Sequence, residues 1–246
     1  MTVLNQLDEF INIFMGRIKS RRLQREREIM LQKRLPILRK IYDACVASYP
    51  VGSIIPCSAD VFLDPFVQNL ILNPSLTATF TEQSLETVGA AFPDIVLRWR
   101  KETEEKLLNM ISTENASKSI FQLATTIFSC KHCDARLTYP RVLVHCCATK
   151  HFYHSSDEDL SIVMRYLDCS YWNYGNLITF EVEKIALVAE AIKLCGLDPM
   201  SATGEDMVKL DPIFECLSCN DAREGRCMLS WPGLVCFPHN GSRFRC

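Results

Sequence analysis

Residues 128–147 read FSCKHCDARLTYPRVLVHCC, and the chemistry of this stretch decides what the chain is built around. Cys130 and Cys133 are two residues apart, the spacing at which a tight turn aims both sulfurs at one ion. Phe128, two positions before the first cysteine, is placed to pack beneath that turn. Zinc then needs two more ligands, and His145, Cys146, Cys147, His151 and His154 are all close by in sequence. Two closures fit. In one, His145 and Cys147 complete a Cys3His site, as an alternating pair in extended chain points two side chains the same way. In the other, His145 and His151 complete a Cys2His2 site. Its linker of eleven residues is one short of the usual finger, and Pro140 falls near the helix start. The first closure is the preferred one. His132, inside the turn, is expected to point away from the metal into solvent.

The same signature returns later as F-E-C-L-S-C, where Phe214, Cys216 and Cys219 repeat the arrangement of Phe128, Cys130 and Cys133. Cys216 and Cys219 are therefore candidate ligands of a second ion, or of one ion shared with the first pair. Cys227, Cys236, His239 and Cys246 follow at spacings that match no standard module.

The chain has 246 residues, 13 cysteines and a net charge of −2, with 48% hydrophobic and 23% charged residues. Such a composition builds a core and excludes a globally basic nucleic-acid binder. The first residues, MTVLNQLDEF, carry neither a basic segment with an apolar run nor a transit-peptide pattern. An intracellular setting, cytoplasmic or nuclear, is the expectation. There, cysteine pairs mean metal or redox chemistry rather than disulfide staples.

Outward from the cysteines the pattern is helical. Leu4, Leu7, Ile11, Phe14 and Ile18 share one face, and Leu31, Leu35, Leu38, Tyr42 and Cys45 share another on a shifted register. Pro36 is expected to kink this helix or open a new one. SADVFLDPFVQNLIL (58–72) reads as a capped helix interrupted at Asp64-Pro65. Thr81 opens another, with a break expected at Phe92-Pro93, and Ile95 to Ile111 forms a further helix with Trp99 as a core anchor. Ser155-x-x-Glu158 reads as a capping box. Val182, Ile185, Ala189 and Ile192 mark a helix ending at Gly196. Tyr171, Trp172 and Tyr174 read as packing aromatics. The expected fold is mainly α, an irregular helical bundle with small zinc-knuckle insertions. Its segments are 1–50 (basic and amphipathic), 51–128 (helical), 129–198 (zinc knuckle and helices) and 199–246 (second cysteine-rich segment).

Between Arg17 and Lys40 ten Lys or Arg face only Glu26 and Glu28. Most simply this is a solvated helix face. Arg17, Lys19, Arg21, Arg22 and Arg25 are the candidates should it contact nucleic-acid phosphates instead.

Three further stretches carry a resemblance. Together with LATTIFSCKHC and LTYPRVLVHCC, the runs DACVASYPVGSIIPCSADV and FPDIVLRWRKETEEKLL, and the late C-x-x-C followed by M-L-S-W, resemble zinc-finger-like, F-box-like proteins of mushroom-forming fungi. The resemblance covers about Leu35 to Trp231 and implies Cys130, Cys133, His145 and Cys147 as the zinc ligands. It implies no established activity. Two departures stand out. No leucine- and proline-rich F-box segment is present near the N-terminus. Those proteins also continue past the tryptophan as a helix ending in histidines. Here Pro232, Gly233 and Pro238 are expected to prevent a helix, which makes the stretch after about Leu234 atypical.

The functional expectation is a non-enzymatic binding or scaffold protein with structural zinc, its partners other proteins. Nucleic-acid binding through residues 17–40 is the alternative. Zinc or cysteine hydrolase chemistry ranks below both, because no general base or H-E-x-x-H pattern accompanies the cysteines. A small-molecule substrate and a membrane are not expected.

Overall fold

A computed structural model of the chain describes residues 3–73, 80–111, 117–150, 158–221, 225–236 and 244–245. It is mainly helical, with two small antiparallel sheets. Packing groups the residues into two units. One comprises Met1–Ser53, Cys57–Val96 and His151–Tyr171, the other Ile54–Pro56, Leu97–Lys150 and Trp172–Cys246. Among the described residues no helix is long and apolar enough to cross a membrane.

In the first unit the leucine stripe behaves as its spacing predicts. Leu31, Leu35 and Leu38 are fully buried on one face of α1 (Val3–Ala47). Pro36 sits inside α1 without ending it. Its ring and Gln32, whose carbonyl loses its helical partner, both lie on the exposed side. Asp64-Pro65 divides α2 (Ser58–Leu63) from α3 (Pro65–Leu72). The Asp64 carboxylate accepts from the Phe66 N–H, and Pro65 takes the first helical position, where it has no bond to lose. At the other end of α3, Arg34 from α1 donates to the carbonyls of Ile71 (2.6 Å) and Asn73 (2.8 Å), with its guanidinium over the Phe80 ring. This arginine of the basic run is 2% exposed and acts as a cap, not as surface charge. α5 (Glu158–Leu167) packs on α1, and Arg39 donates to its last carbonyl, that of Leu167, at 2.7 Å. Every described side chain from Phe10 to Leu23 is exposed. Ser155, the expected cap of α5, lies outside the described residues.

The break expected at Phe92-Pro93 does not occur. α4 runs unbroken from Glu86 to Ile111, Pro93 included. Phe92, Ile95, Val96 and Trp99 are all buried while Pro93 is exposed, so burial of that stripe outweighs a proline cost of about 3 kcal/mol.

The second unit holds both sheets. β1 (Phe128–Cys130) lies between β2 (Arg136–Leu137) and β3 (Ile178–Phe180). Its register sets Phe128 opposite both Leu137 and Phe180, and Cys130 opposite Ile178. Phe128 is fully buried and meets Phe180 edge-on at 5.8 Å, the role its position predicts. α6 (Ile185–Leu194) turns Leu187, Val188, Ala191 and Ile192 inward, so the buried stripe is rotated from the expected one and Val182 is exposed. It ends at Gly196 as the sequence predicts, with φ +77° at that glycine and the Leu197 N–H reaching the Ile192 carbonyl.

The second sheet, β4 (Ile213–Asp221) between β5 (Gly225–Ser230) and β6 (Phe244–Arg245), follows α7 (Gly204–Leu210). Trp231–Cys236 forms α8, contrary to the expectation that Pro232 and Gly233 forbid a helix. Pro232 stands in its first turn, where a missing N–H costs nothing. Leu234, Val235 and Phe244 are buried in the same core as Phe214 and Trp231, so these late residues are integral to the packing.

A buried carboxylate ties α4 to the segment entering the site. Glu104 accepts from the Tyr139 hydroxyl (2.7 Å) and the Lys118 ammonium (2.6 Å). Burial raises its pKa, but those two donors outweigh it and hold the carboxyl below its ordinary value. A depressed carboxylate pKa contributes stability that is present above the unfolded-state value and is lost as pH falls through the folded one. We therefore expect urea midpoints of the wild-type chain to fall below about pH 4.5, with Glu104→Gln losing stability at pH 7 and showing a flatter acid limb. Parallel acid limbs in the two proteins would refute this role.

Candidate metal centre

Local backbone rules bring the first cysteine pair together. After β1 the chain reverses within four residues. The Asp134 N–H bonds the Cys130 carbonyl (2.8 Å), and the Cys130 N–H bonds the Ala135 carbonyl (3.0 Å). Asp134 takes a left-handed conformation, φ 54°, which aspartate tolerates. The turn is held from the side by the Lys131 N–H on the Leu177 carbonyl, at 2.9 Å. Cys130 is completely buried and Cys133 exposed, so the pair spans the boundary between core and water.

The other side of the centre comes from residues 138–150. Arg141–Val144 and Cys146–Thr149 are two short 3₁₀ turns, and His145 is the extended residue joining them (φ −64°, ψ 127°). His145 and Cys147 therefore converge through a turn, not through the extended alternation expected from sequence. Trp172, 2% exposed, donates from its indole N–H to the Val142 carbonyl (3.3 Å). The Asn173 N–H reaches the Ala148 carbonyl (2.7 Å), while its side chain brackets Ile178, accepting from the N–H and donating to the carbonyl. Trp172 and Asn173 thus lock both turns to β3. The sequence marks this loop only as aromatics near a glycine. Asn173, at φ 56°, was the readable signal, since asparagine accepts the left-handed region.

The ligand atoms of Cys130, Cys133, His145 and Cys147 all lie within 4.8 Å of one another, with Cys133 Sγ 3.3 Å from His145 Nε2. A tetrahedral ion with bonds of about 2.0–2.3 Å sets its ligands roughly 3.3–3.8 Å apart, and the Cys133–His145 separation falls on that edge length. They could hold a metal ion. Cys147 is buried as well; Cys133 gives the centre an open edge through which an ion can enter.

The electrostatics suit a cation. Burial pushes the Cys130 thiol up, but the backbone N–H groups of His132 and Cys133 and the thiols of Cys133 and Cys147 outweigh it and leave the pKa lowered. Cys147 is pushed up to about 12, first by burial and then by hydrogen bonds with Cys133, Cys130 and Cys146. Burial lowers His145, which favours the neutral imidazole that ligates metals. One ligand is thus biased toward the thiolate, one toward the neutral ring, and one toward a protonated form whose proton a bound cation would displace.

The neighbours are excluded by position. His132 is exposed and pairs with the Lys150 ammonium (2.8 Å). Cys146 is exposed, its sulfur 4.0 Å from Cys147, and is not among the four. His151 and His154 lie outside the described residues.

The later pair is arranged differently. Cys216 and Cys219 lie in β4 across an irregularity in the pairing, and Cys216 stands opposite Cys227 of β5. The Cys219 thiol is pushed up to about 11, first by its hydrogen bond to Cys216 and also by Cys227, so three sulfurs gather on this hairpin. Among the described residues they do not join the first four in one cluster. His239 and Cys246 lie outside the described residues, and Cys236, at the end of α8, is exposed. The basic candidates Arg17, Lys19, Arg21, Arg22 and Arg25 are all exposed on α1. Arg22 is engaged by Glu26 at 2.9 Å. Arg17, Arg21 and Arg25, four residues apart, form one stripe, while Lys19 faces elsewhere.

Because a bound ion displaces protons from Cys147 and its neighbours, metal affinity falls as pH falls, and acidification releases metal together with proton uptake. Cys133→Ser is expected to weaken binding at least about tenfold, whereas Cys146→Ser and His132→Ala retain metal. Competition with a chromophoric chelator reads both outcomes. Loss of metal in Cys146→Ser equal to that in Cys133→Ser would contradict the ligand set. Compared with protein-family models, curated proteins and solved structures, the chain matches none of them.

Proposed function

We propose that the chain is a non-enzymatic binding or scaffold protein in which zinc plays a structural part, held in a knuckle by Cys130, Cys133, His145 and Cys147. The observation that carries this reading is the closure of the site. Four protein ligand atoms lie within 4.8 Å of one another, enough to complete a tetrahedron around one ion, which would leave no position for water or substrate. Three sulfurs with one imidazole nitrogen form a donor set suited to zinc among the divalent ions. In the same unit a groove of roughly 910 Å³ is lined by residues such as Phe121, Tyr139, Thr203 and Trp231. Its charged groups are Arg136, Arg141 and Glu205, and no histidine lines it.

Partner contacts fit α1 best. Phe10, Ile11, Phe14 and Ile18 are about half exposed or more on a helix, as they are where a partner protein covers an apolar stripe. Nucleic-acid binding is the second reading, favoured by the Arg17, Arg21 and Arg25 stripe beside that apolar run. Cys216 and Cys219, with Cys227 beside them, are proposed as ligands of a separate zinc ion.

Zinc measured per chain decides most of this. Wild type is expected to carry two ions, Cys133→Ser and Cys216→Ser one each, with loss of near-ultraviolet ellipticity on chelation. A wild-type chain without zinc would remove the structural reading. For nucleic acid, binding with a steep salt slope that shrinks in Arg17→Ala/Arg21→Ala/Arg25→Ala is the supporting outcome. Absence of binding at low salt would eliminate it.

A further inference from the structure

The first unit contains two thiols that neither the metal centre nor the helical pattern employs. Cys57 immediately precedes α2, and Cys169 lies two residues beyond α5; both are partly exposed. Folding brings them side by side: the Cys57 sulfur lies 3.2 Å from the carbonyl of Ser170, the residue after Cys169, and the Cys169 sulfur lies 3.2 Å from the hydroxyl of Ser58, the residue after Cys57. We infer that Cys57 and Cys169 form an oxidant-sensitive thiol pair, in which hydrogen peroxide oxidises Cys169 and Cys57 then closes a disulfide with it.

The argument rests on what surrounds each sulfur. Around Cys57 stand acceptors: the Asp60 carboxylate at 3.2 Å, the Ser170 carbonyl at 3.2 Å and the Cys169 sulfur. Around Cys169 stand donors: the Cys57 S–H, the Ser58 hydroxyl at 3.2 Å and the Ala59 backbone N–H. The Asp60 carboxylate and the Ser170 carbonyl therefore hold the proton on Cys57, while the Ser58 hydroxyl and the Ala59 N–H favour negative charge on Cys169. The Cys57 hydrogen bond lowers Cys169 to about 6 against the opposing burial and the Asp60 charge, while Cys57 is pushed up. Tyr42, Arg39 and Asp43 are the other ionisable groups nearby. Burial keeps the Tyr42 phenol protonated, and Arg39 pairs with Asp43 at 3.1 Å. The surroundings thus favour the thiolate at Cys169 and the thiol at Cys57, the division of labour between attacking and resolving cysteines.

The chemistry balances. The Cys169 thiolate attacks one peroxide oxygen, the O–O bond breaks, and Cys169 becomes a sulfenic acid as hydroxide leaves. The Cys57 sulfur then attacks the Cys169 sulfur, and the S–O bond breaks. The departing hydroxide takes up the Cys57 proton as water. One thiolate and one thiol lose two electrons, and one peroxide becomes one water and one hydroxide, which takes a proton from solvent as the second water.

Peptide mapping tests the pair on the whole purified chain. Iodoacetamide at pH 7 is expected to label Cys169 about tenfold faster than Cys45, a thiol that burial pushes up. Stoichiometric peroxide is expected to yield one cross-linked peptide joining the Cys57 and Cys169 segments, reversible by dithiothreitol. In Cys57→Ser, whose fold circular dichroism checks, Cys169 is expected to be trapped as its dimedone adduct. Equal labelling of Cys169 and Cys45, or peroxide treatment that oxidises Cys146 while leaving Cys57 and Cys169 reduced, overturns the inference. Neither result depends on whether the chain carries zinc.

Discussion

A sulfur buried away from water, as Cys130 is, tolerates negative charge only if donors or a cation compensate it. In this chain the compensation begins with two backbone N–H groups, those of His132 and Cys133, aimed at that sulfur by the turn after β1. Much of the surrounding architecture keeps that turn in place. Phe128 anchors β1 in the core, Asn173 and Trp172 hold the loop that carries β3 and the two 3₁₀ turns, and Glu104 fastens Tyr139 at the entrance to those turns. A cation would complete what the backbone starts. Without one, burial and the neighbouring thiols favour the protonated form of Cys147.

What was legible in the sequence was local. The Cys130–Cys133 turn, the packing role of Phe128, the leucine stripe of α1 and the stop at Gly196 each depend on residues a few positions apart, so spacing alone is informative. His145 and Cys147 were legible as candidates, but by a different geometry: the extended pair turned out to be a hinge between two 3₁₀ turns. The continuation of α4 through Pro93 was not legible, because the cost of the proline is local and the packing that outweighs it comes from elsewhere. For the same reason Arg34 looked like surface charge. Its real partners, the carbonyls at the end of α3, are nearly forty positions away. The hairpin β4–β5 was hidden by its cysteines and polar residues, which give no clean alternation. Cys57 and Cys169 meet only through the fold.

The thiols of this chain therefore fall into distinct electrostatic classes. Cys130 is lowered despite burial by backbone donors, Cys147 and Cys219 are raised in clusters that retain protons, Cys45 is raised by burial alone, and Cys169 is lowered by a neighbouring thiol. Equal residues thus acquire unequal affinities for protons, metals and electrophiles through the placement of a few donors.

The exposed first half of α1 differs from its second half in kind. From Leu31 onward the helix is welded to the core. From Phe10 to Leu23 it has the i to i+4 contact of Phe10 with Phe14, and no described side chain there is buried. Its helicity then follows helix–coil statistics, with Met, Leu, Arg and Lys as good formers and nucleation supplied by the anchored half. A segment of this kind loses helicity turn by turn, last where it joins the anchored half, instead of unfolding with the core. Whatever docks there meets a helix whose ordering entropy has largely been met by the neighbouring turns.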